Sequence, residues 1–315
     1  MPPTTPLPYT TKHFPKLTPS YAMLFGNLHE ETLRQVQNSS QHYTALIPFG
    51  AGSRLTRDHP DLSKDFETFL KSFRFDGSDR LQVMRPTPNL QPDPQTRFLK
   101  PFPYLLLHSP EPLCQLLLWQ QTFAFQINAR CLAFNAVRID PQARSWVIVN
   151  FAGPFVSTAH THMINALHTI TTTLMDNRTF SNVTNNHLAK MGIGATVAER
   201  VLISLSTFQL TFIPQTVGDG SKKQIWQLQG MPVSDNLKDH RAWLWIIRWT
   251  TFLVDQVVCL KPDKAPFSCI WCKAETHSNE NCPLPSVDDW KGPIPDPGYL
   301  TPDPPVHNKC KRRKR

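Results

Sequence analysis

The sequence predicts an α+β protein, and three observations lead there. The central third reads strand, helix, strand, strand, helix by hydrophobic periodicity. A compact cysteine and histidine cluster follows it near the C-terminus, and the prolines, 30 in 315 residues, crowd toward the two ends. Fourteen of them lie in residues 1–19 and 283–305, so the middle of the chain is ordinary in composition and the ends are expected to be disordered. An apolar content of 40% is enough for a real core. The expected layout is a proline-rich N-terminus (1–19), a partly helical region (20–95), a central α/β domain (96–180), a β-hairpin with a tryptophan-rich helix extending it (181–260), a metal-binding module (266–285), and a proline-rich linker with a basic tail (286–315).

In the first region, Asn27 with Glu30 three residues on resembles a capping box ahead of Leu28, Leu33 and Val36. A second helix begins after Pro60, where Asp61 caps and Leu62, Phe66, Phe69, Leu70 and Phe73 recur at helical spacing. Phe49-Gly50-Ala51-Gly52 lacks the Lys-Ser/Thr end of a phosphate loop and reads as a turn.

The central elements follow in order. Residues 103–107 form a short apolar strand, and Pro112 opens a helix carrying Leu113, Leu116, Leu117, Phe123 and Phe125 to about Gln126. Residues 131–139 and 145–151 are strands joined through the turn Asp140-Pro141-Gln142, and 161–175 is a helix. Residues 176–198 read as polar connection, 200–213 as a bent strand, and 224–228 as the return of a hairpin. A last helix spans about 236–258, with Trp243, Trp245 and Trp249 forming a buried wall or a surface for self-association or a protein partner.

The order β-α-β-β-α is that of ferredoxin-like, RNA-recognition-type folds. The segment 144–151 resembles their RNP1 octamer: Arg144 is basic, Trp146 is an aromatic third residue and Phe151 an aromatic eighth, while Ser145 and Ile148 depart from the pattern. The resemblance implies that Trp146 and Tyr104 stack bases and that Arg144 contacts phosphate.

Cys269, Cys272, His277 and Cys282 read C-x2-C-x4-H-x4-C. Three thiolates and one imidazole are a complete tetrahedral ligand set for one Zn2+, with no position open for water or substrate, so the metal is expected to be structural. The spacing resembles the retroviral-type zinc knuckle. That family binds single-stranded RNA or DNA on a hydrophobic platform, which here falls on Ile270 and Trp271, and some members bind proteins instead. Thr276 stands where the family carries glycine before the histidine. The chain ends Lys309, Cys310, Lys311, Arg312, Arg313, Lys314, Arg315, and these six cations supply most of the formal net charge of +9. Such an arm contacts phosphates without sequence preference and is also a nuclear localisation signal by composition.

The layout as a whole resembles Gag-like or first-ORF proteins of eukaryotic, fungal retroelements. This implies packaging or chaperoning of element RNA, or a domesticated host role, in the nucleus and/or cytoplasm. The alternative is a protein-interaction adaptor docking through the knuckle and the tryptophan-rich helix. No catalytic constellation is expected: of His160, His162 and His168 near Asp176, His160 and His162 do not share a helical face, and no Glu is placed as base. No stretch of 18 apolar residues and no secretory signal is visible, so no membrane association is expected. Cys114, Cys131 and Cys259 are expected to be buried free thiols.

Overall fold

The computed structural model describes residues 6–17, 19–50, 59–85, 87, 101–216, 222–254, 258–263 and 268–295. Ten strands lie in two five-stranded antiparallel sheets, accompanied by eight α-helices among the described residues. The first sheet contains β1 (Thr44–Pro48), β2 (Gln82–Met84), β3 (Tyr104–Leu107), β4 (Thr122–Ile127) and β5 (Arg130–Arg138), in spatial order β2-β3-β1-β5-β4. Side chains alternate across it. Leu46, Tyr104, Leu106, Phe123, Phe125, Leu132 and Phe134 point to a core completed by α3 (Leu62–Lys71) and α4 (Glu111–Gln120). There Phe69 stacks on Phe125 with ring centroids 3.9 Å apart. On the opposite face, Ala45, Ile47 and Leu105 meet Leu24, Phe25, Leu28 and Val36 from α1 (Tyr21–Phe25) and α2 (Glu30–Asn38).

The second sheet contains β6 (Val147–Ala152), β7 (Gln209–Thr216), β8 (Lys222–Gln229), β9 (Phe252–Val254) and β10 (Val258–Asp263), in order β7-β8-β6-β10-β9. Ile148, Phe151, Trp226, Leu228, Phe252 and Leu260 face a core made with α5 (His160–Asp176), α6 (Arg178–Lys190), α7 (Val197–Ser206) and α8 (Leu237–Trp249). Both sheets are threaded alike. The first strand lies between the third and the last, the second strand is at the edge beside the third, and an extra strand at the other edge forms a hairpin with the last.

Several expectations are corrected. The central α/β unit of 96–180 does not exist as one sheet, because β3 belongs to the first sheet and β6 to the second. The helix expected to reach Gln126 stops at Gln120. Gln121 there adopts φ 66°, and 122–127 becomes β4, turning into β5 through two consecutive left-handed residues, Asn128 (φ 49°) and Ala129 (φ 60°). Residues 178–190 and 197–206 are helical; the second of these is started by a full capping box between Thr196 and Glu199. The last helix ends at Trp249, and two further strands follow.

The ends are packed where they are described. Thr10 N–H donates to the Ala124 carbonyl at 2.8 Å, and Gln121 bonds Leu17 twice, accepting from its N–H at 2.7 Å and donating to its carbonyl at 2.8 Å. Cys131 and Cys259 are exposed and Cys114 is half-buried, rather than all three being buried; Cys131 lies near the start of β5, ahead of its buried stretch, and Cys259 on the outward parity of β10.

Candidate metal centre

The sulfur and nitrogen donors of Cys269, Cys272, His277 and Cys282 all lie within 4.8 Å of one another, in the order and spacing the sequence predicts. A tetrahedral zinc with Zn–S of about 2.3 Å and Zn–N of about 2.0 Å places its donors roughly 3.5–3.8 Å apart. Cys272 Sγ and His277 Nε2 are 3.2 Å apart, and the three cysteines are buried. The donor set and its enclosure therefore fit Zn2+, and no other group of three or more ligand side chains occurs among the described residues. The site is closed, so what it can do is hold structure.

The local chain shows how. A tight turn returns Lys273 N–H to the Cys269 carbonyl at 2.8 Å, and Cys269 N–H to the Ala274 carbonyl at 2.7 Å. The left-handed residue this turn needs is Lys273 (φ 65°), just after the second ligand. Thr276 adopts no positive φ, so the missing family glycine imposes no strain; its Oγ1 lies 3.4 Å from His277 Nδ1, where it helps orient the ring. Asn279 Oδ1 accepts the Ile270 N–H at 2.7 Å, closing the loop from the other side.

Metal binding at this cluster is coupled to proton release. Hydrogen bonds from Cys272 and Cys282 hold the Cys269 thiol far below its ordinary range. The same bonds raise Cys272 and push Cys282 up to about 12, so the metal-free cluster keeps protons that a metal would displace. Zinc with three thiolates and a neutral imidazole carries one net negative charge. Lys273, buried beside it, offers the opposite sign, and its pKa is lowered to about 8 by burial against the pull of the two neighbouring thiolates.

The module is wedged into the fold. Cys269, Trp271, Cys272, Ala274, Cys282 and Leu284 form one apolar cluster with Phe14, Leu17, Phe49, Ala124 and Ala133, on the face of the first sheet away from α3 and α4. Trp271 is 6% exposed and stacks on Phe49 with centroids 6.0 Å apart, while Gly50 N–H donates to its carbonyl at 2.7 Å. Gly50 has φ 71°, and a Cβ there would touch the indole at 3.4 Å. Trp290 closes the cluster edge-on to Phe49 and Phe14. Toward the second sheet, Glu275 accepts from Ser145 Oγ at 3.0 Å through its carboxylate and from Gln227 Nε2 at 2.7 Å through its carbonyl. Burial raises the Glu275 pKa against the Ser145 hydrogen bond and Arg248.

The other sequence-predicted contacts separate. Trp271 gives its indole to the interior and offers no face to a base; Ile270 is half-buried in the same cluster. Tyr104 is 2% exposed, edge-on to Phe66 in the first core, and does not share a sheet with Trp146. The Arg144 guanidinium donates to the Pro141, Ala143 and Asp235 carbonyls and braces loops. Trp146 is 49% exposed. Trp243 is fully buried, with Nε1 on Thr184 Oγ1 at 3.2 Å, whereas Trp245 and Trp249 of the same helix are open. Lys309, Lys311, Arg312, Arg313, Lys314 and Arg315 lie outside the described residues.

No protein-family model matches the chain, and no curated protein or solved structure matches it either. Sequence reasoning missed Phe49, Glu275 and Trp290, whose partners are distant in the chain. Only Lys273 carried a local signal, as a residue inside a tight inter-ligand turn. Among the described residues, no helix is long and apolar enough to cross a membrane.

Proposed function

We propose that the chain is a single-stranded nucleic-acid-binding protein, of RNA-packaging or chaperoning type as in Gag-like retroelement proteins, in which zinc is a structural keystone. The observation that carries this reading is the doubled strand order. Each sheet runs β-α-β-β-α-β-β, with three helices in place of one after the first strand of the second sheet, and each has its first strand between the third and the last; this strand order is what supports a likeness to ferredoxin-like, RNA-recognition-type units. In this reading, two such units, at 44–138 and 147–263, take the place of the one read from the sequence at 96–180. The formal charge of +9, concentrated in the last seven residues, supports a phosphate-bearing partner. No step of chemistry is assigned to the chain, and it is read as a non-enzyme of the nucleus and/or cytoplasm.

The adaptor reading keeps one observation in its favour: the knuckle already uses its tryptophan as a wedge against protein. Fluorescence anisotropy with a mixed-sequence single-stranded RNA across a salt series separates the two. Binding that weakens steeply with salt, with a slope reduced by deletion of residues 309–315, supports the nucleic-acid reading. Absence of binding at any salt concentration rejects it, and crosslinking with sequencing of bound RNA then identifies element or host targets.

A further inference from the structure

The knuckle's tryptophan is sealed inside the fold, yet four other indoles are open, and two of these are neighbours on one helix. Trp245 and Trp249 are 60% and 69% exposed, one helical turn apart on α8, with ring centroids 5.7 Å apart and planes inclined by 36°. The opposite side of the helix is spent on packing, since His240, Trp243, Leu244 and Ile247 are buried. Open aromatic surface of this kind marks a contact site rather than ordinary exterior. At this inclination the rings do not close face to face.

The charges around the pair decide what they contact. Lys238 and Arg241 are exposed along the same helix, seven and four residues before Trp245. Arg248 of the same helix is engaged by the protein instead, its Nε–H donating to the Ile148 carbonyl at 2.7 Å beside Glu275. The one acid on α8, Asp239, lies 3.5 Å from His187 Nδ1, turned toward α6. Cations interleaved with open indoles complement a strand that carries bases and phosphates in alternation. An apolar protein partner would be met without them.

We propose that the outward face of α8 is a stacking platform for single-stranded nucleic acid, with Trp245 and Trp249 contacting bases and Lys238 and Arg241 contacting phosphates. The proposal deepens the nucleic-acid reading and rests on it.

The test uses the full-length, zinc-loaded chain and a fluorescein-labelled, mixed-sequence single-stranded RNA, with DNA of the same sequence as a second arm. The variants are Trp245→Ala/Trp249→Ala and Trp245→Phe/Trp249→Phe. Because both indoles are exposed, zinc content and melting temperature are expected to stay at the wild-type values. Stacking on each base predicts that the alanine pair binds at least about tenfold more weakly. The salt slope should be unchanged, and the phenylalanine pair should recover most of the loss. Wild-type affinity in the alanine pair overturns the platform while leaving the nucleic-acid reading in place. No binding by the intact chain overturns both. Unchanged RNA affinity with loss of self-association in sedimentation assigns the face to a second copy of the chain instead, and also overturns the proposal.

Discussion

Against the first sheet the metal module presents carbon: Trp271 on Phe49, with Cys269, Cys272 and Leu284 beside Ala124 and Ala133. Against the second it presents hydrogen bonds, from Ser145 and Gln227 to the two acceptor groups of Glu275. Apolar burial is non-directional and scales with area, whereas a few polar contacts fix orientation with a modest net contribution. The module therefore belongs energetically to the first sheet and acts as a latch on the second. Two units of the same threading are joined by one wedge that is welded to one and hooked to the other.

The largest expected effect is loss of the metal. Structural zinc contributes on the order of 10 kcal/mol to small modules of this kind. His277→Ala, or Cys272→Ser, should lower bound zinc from one per chain to none by elemental analysis and should depress the melting temperature more than any other single change considered. Amide exchange should accelerate in β4, β5 and the segment 8–17 before it does in α5–α8. Equal acceleration in both halves would show that the asymmetry is wrong.

Next comes the weld itself. Phe49→Ala removes the ring between Trp271 and Trp290 and should cost about 3–5 kcal/mol, as large-to-small changes in packed cores do. Zinc should still bind, because no ligand is altered, but a chelator should strip it faster. A loss below about 1 kcal/mol in denaturant titration would mean that the module is not held by this packing.

Acid should reveal a weakness of the second half alone. His240 is 3% exposed, neither ring nitrogen has a hydrogen-bond partner in the structure, and its pKa is lowered to about 4 by burial, with Arg144 and Arg248 adding to the shift. In the unfolded chain the same imidazole titrates near 6.5. Above that pH both states are neutral there and nothing is lost. As pH falls from about 6.5 to about 4, the unfolded state takes a proton that the folded state refuses, and stability drops by up to roughly 3 kcal/mol. His240→Leu should be nearly neutral at pH 7 and should flatten this part of the profile; an unchanged acid slope would refute the assignment.

The metal centre was legible because its four ligands lie within one short stretch and their spacing is itself the signal. The first-sheet helix at 62–71 was legible too, through the recurrence of Phe66, Phe69 and Leu70. The β4–β5 hairpin was not. Thr122 to Ile127 is apolar enough to extend the preceding helix on paper, and its turn uses Asn128-Ala129 rather than Asn-Gly. Thr196 and Glu199 did spell a capping box, but Leu202, Leu205, Phe208, Leu210 and Phe212 alternate well enough to read as one bent strand, which merges the end of this helix with β7. The site's surroundings stayed hidden for a different reason: Phe49 and Trp271 meet only after strands far apart in sequence have paired, and no local pattern encodes that. Burial of Trp271 is the consequence, and it moves the expected base contact away from the knuckle.

The smallest effect tests the hook. Ser145→Ala removes one hydrogen bond to the Glu275 carboxylate and leaves that group beside Arg248, so it should cost about 1 kcal/mol. The informative readout is coupling rather than stability. In the wild-type chain, Phe49→Ala should perturb the second half through the wedge; in the Ser145→Ala background that perturbation should shrink, giving a double-mutant interaction term of several tenths of a kcal/mol. Strict additivity would show that the Glu275 carboxylate transmits nothing and would leave the Gln227 contact to the Glu275 carbonyl as the hook.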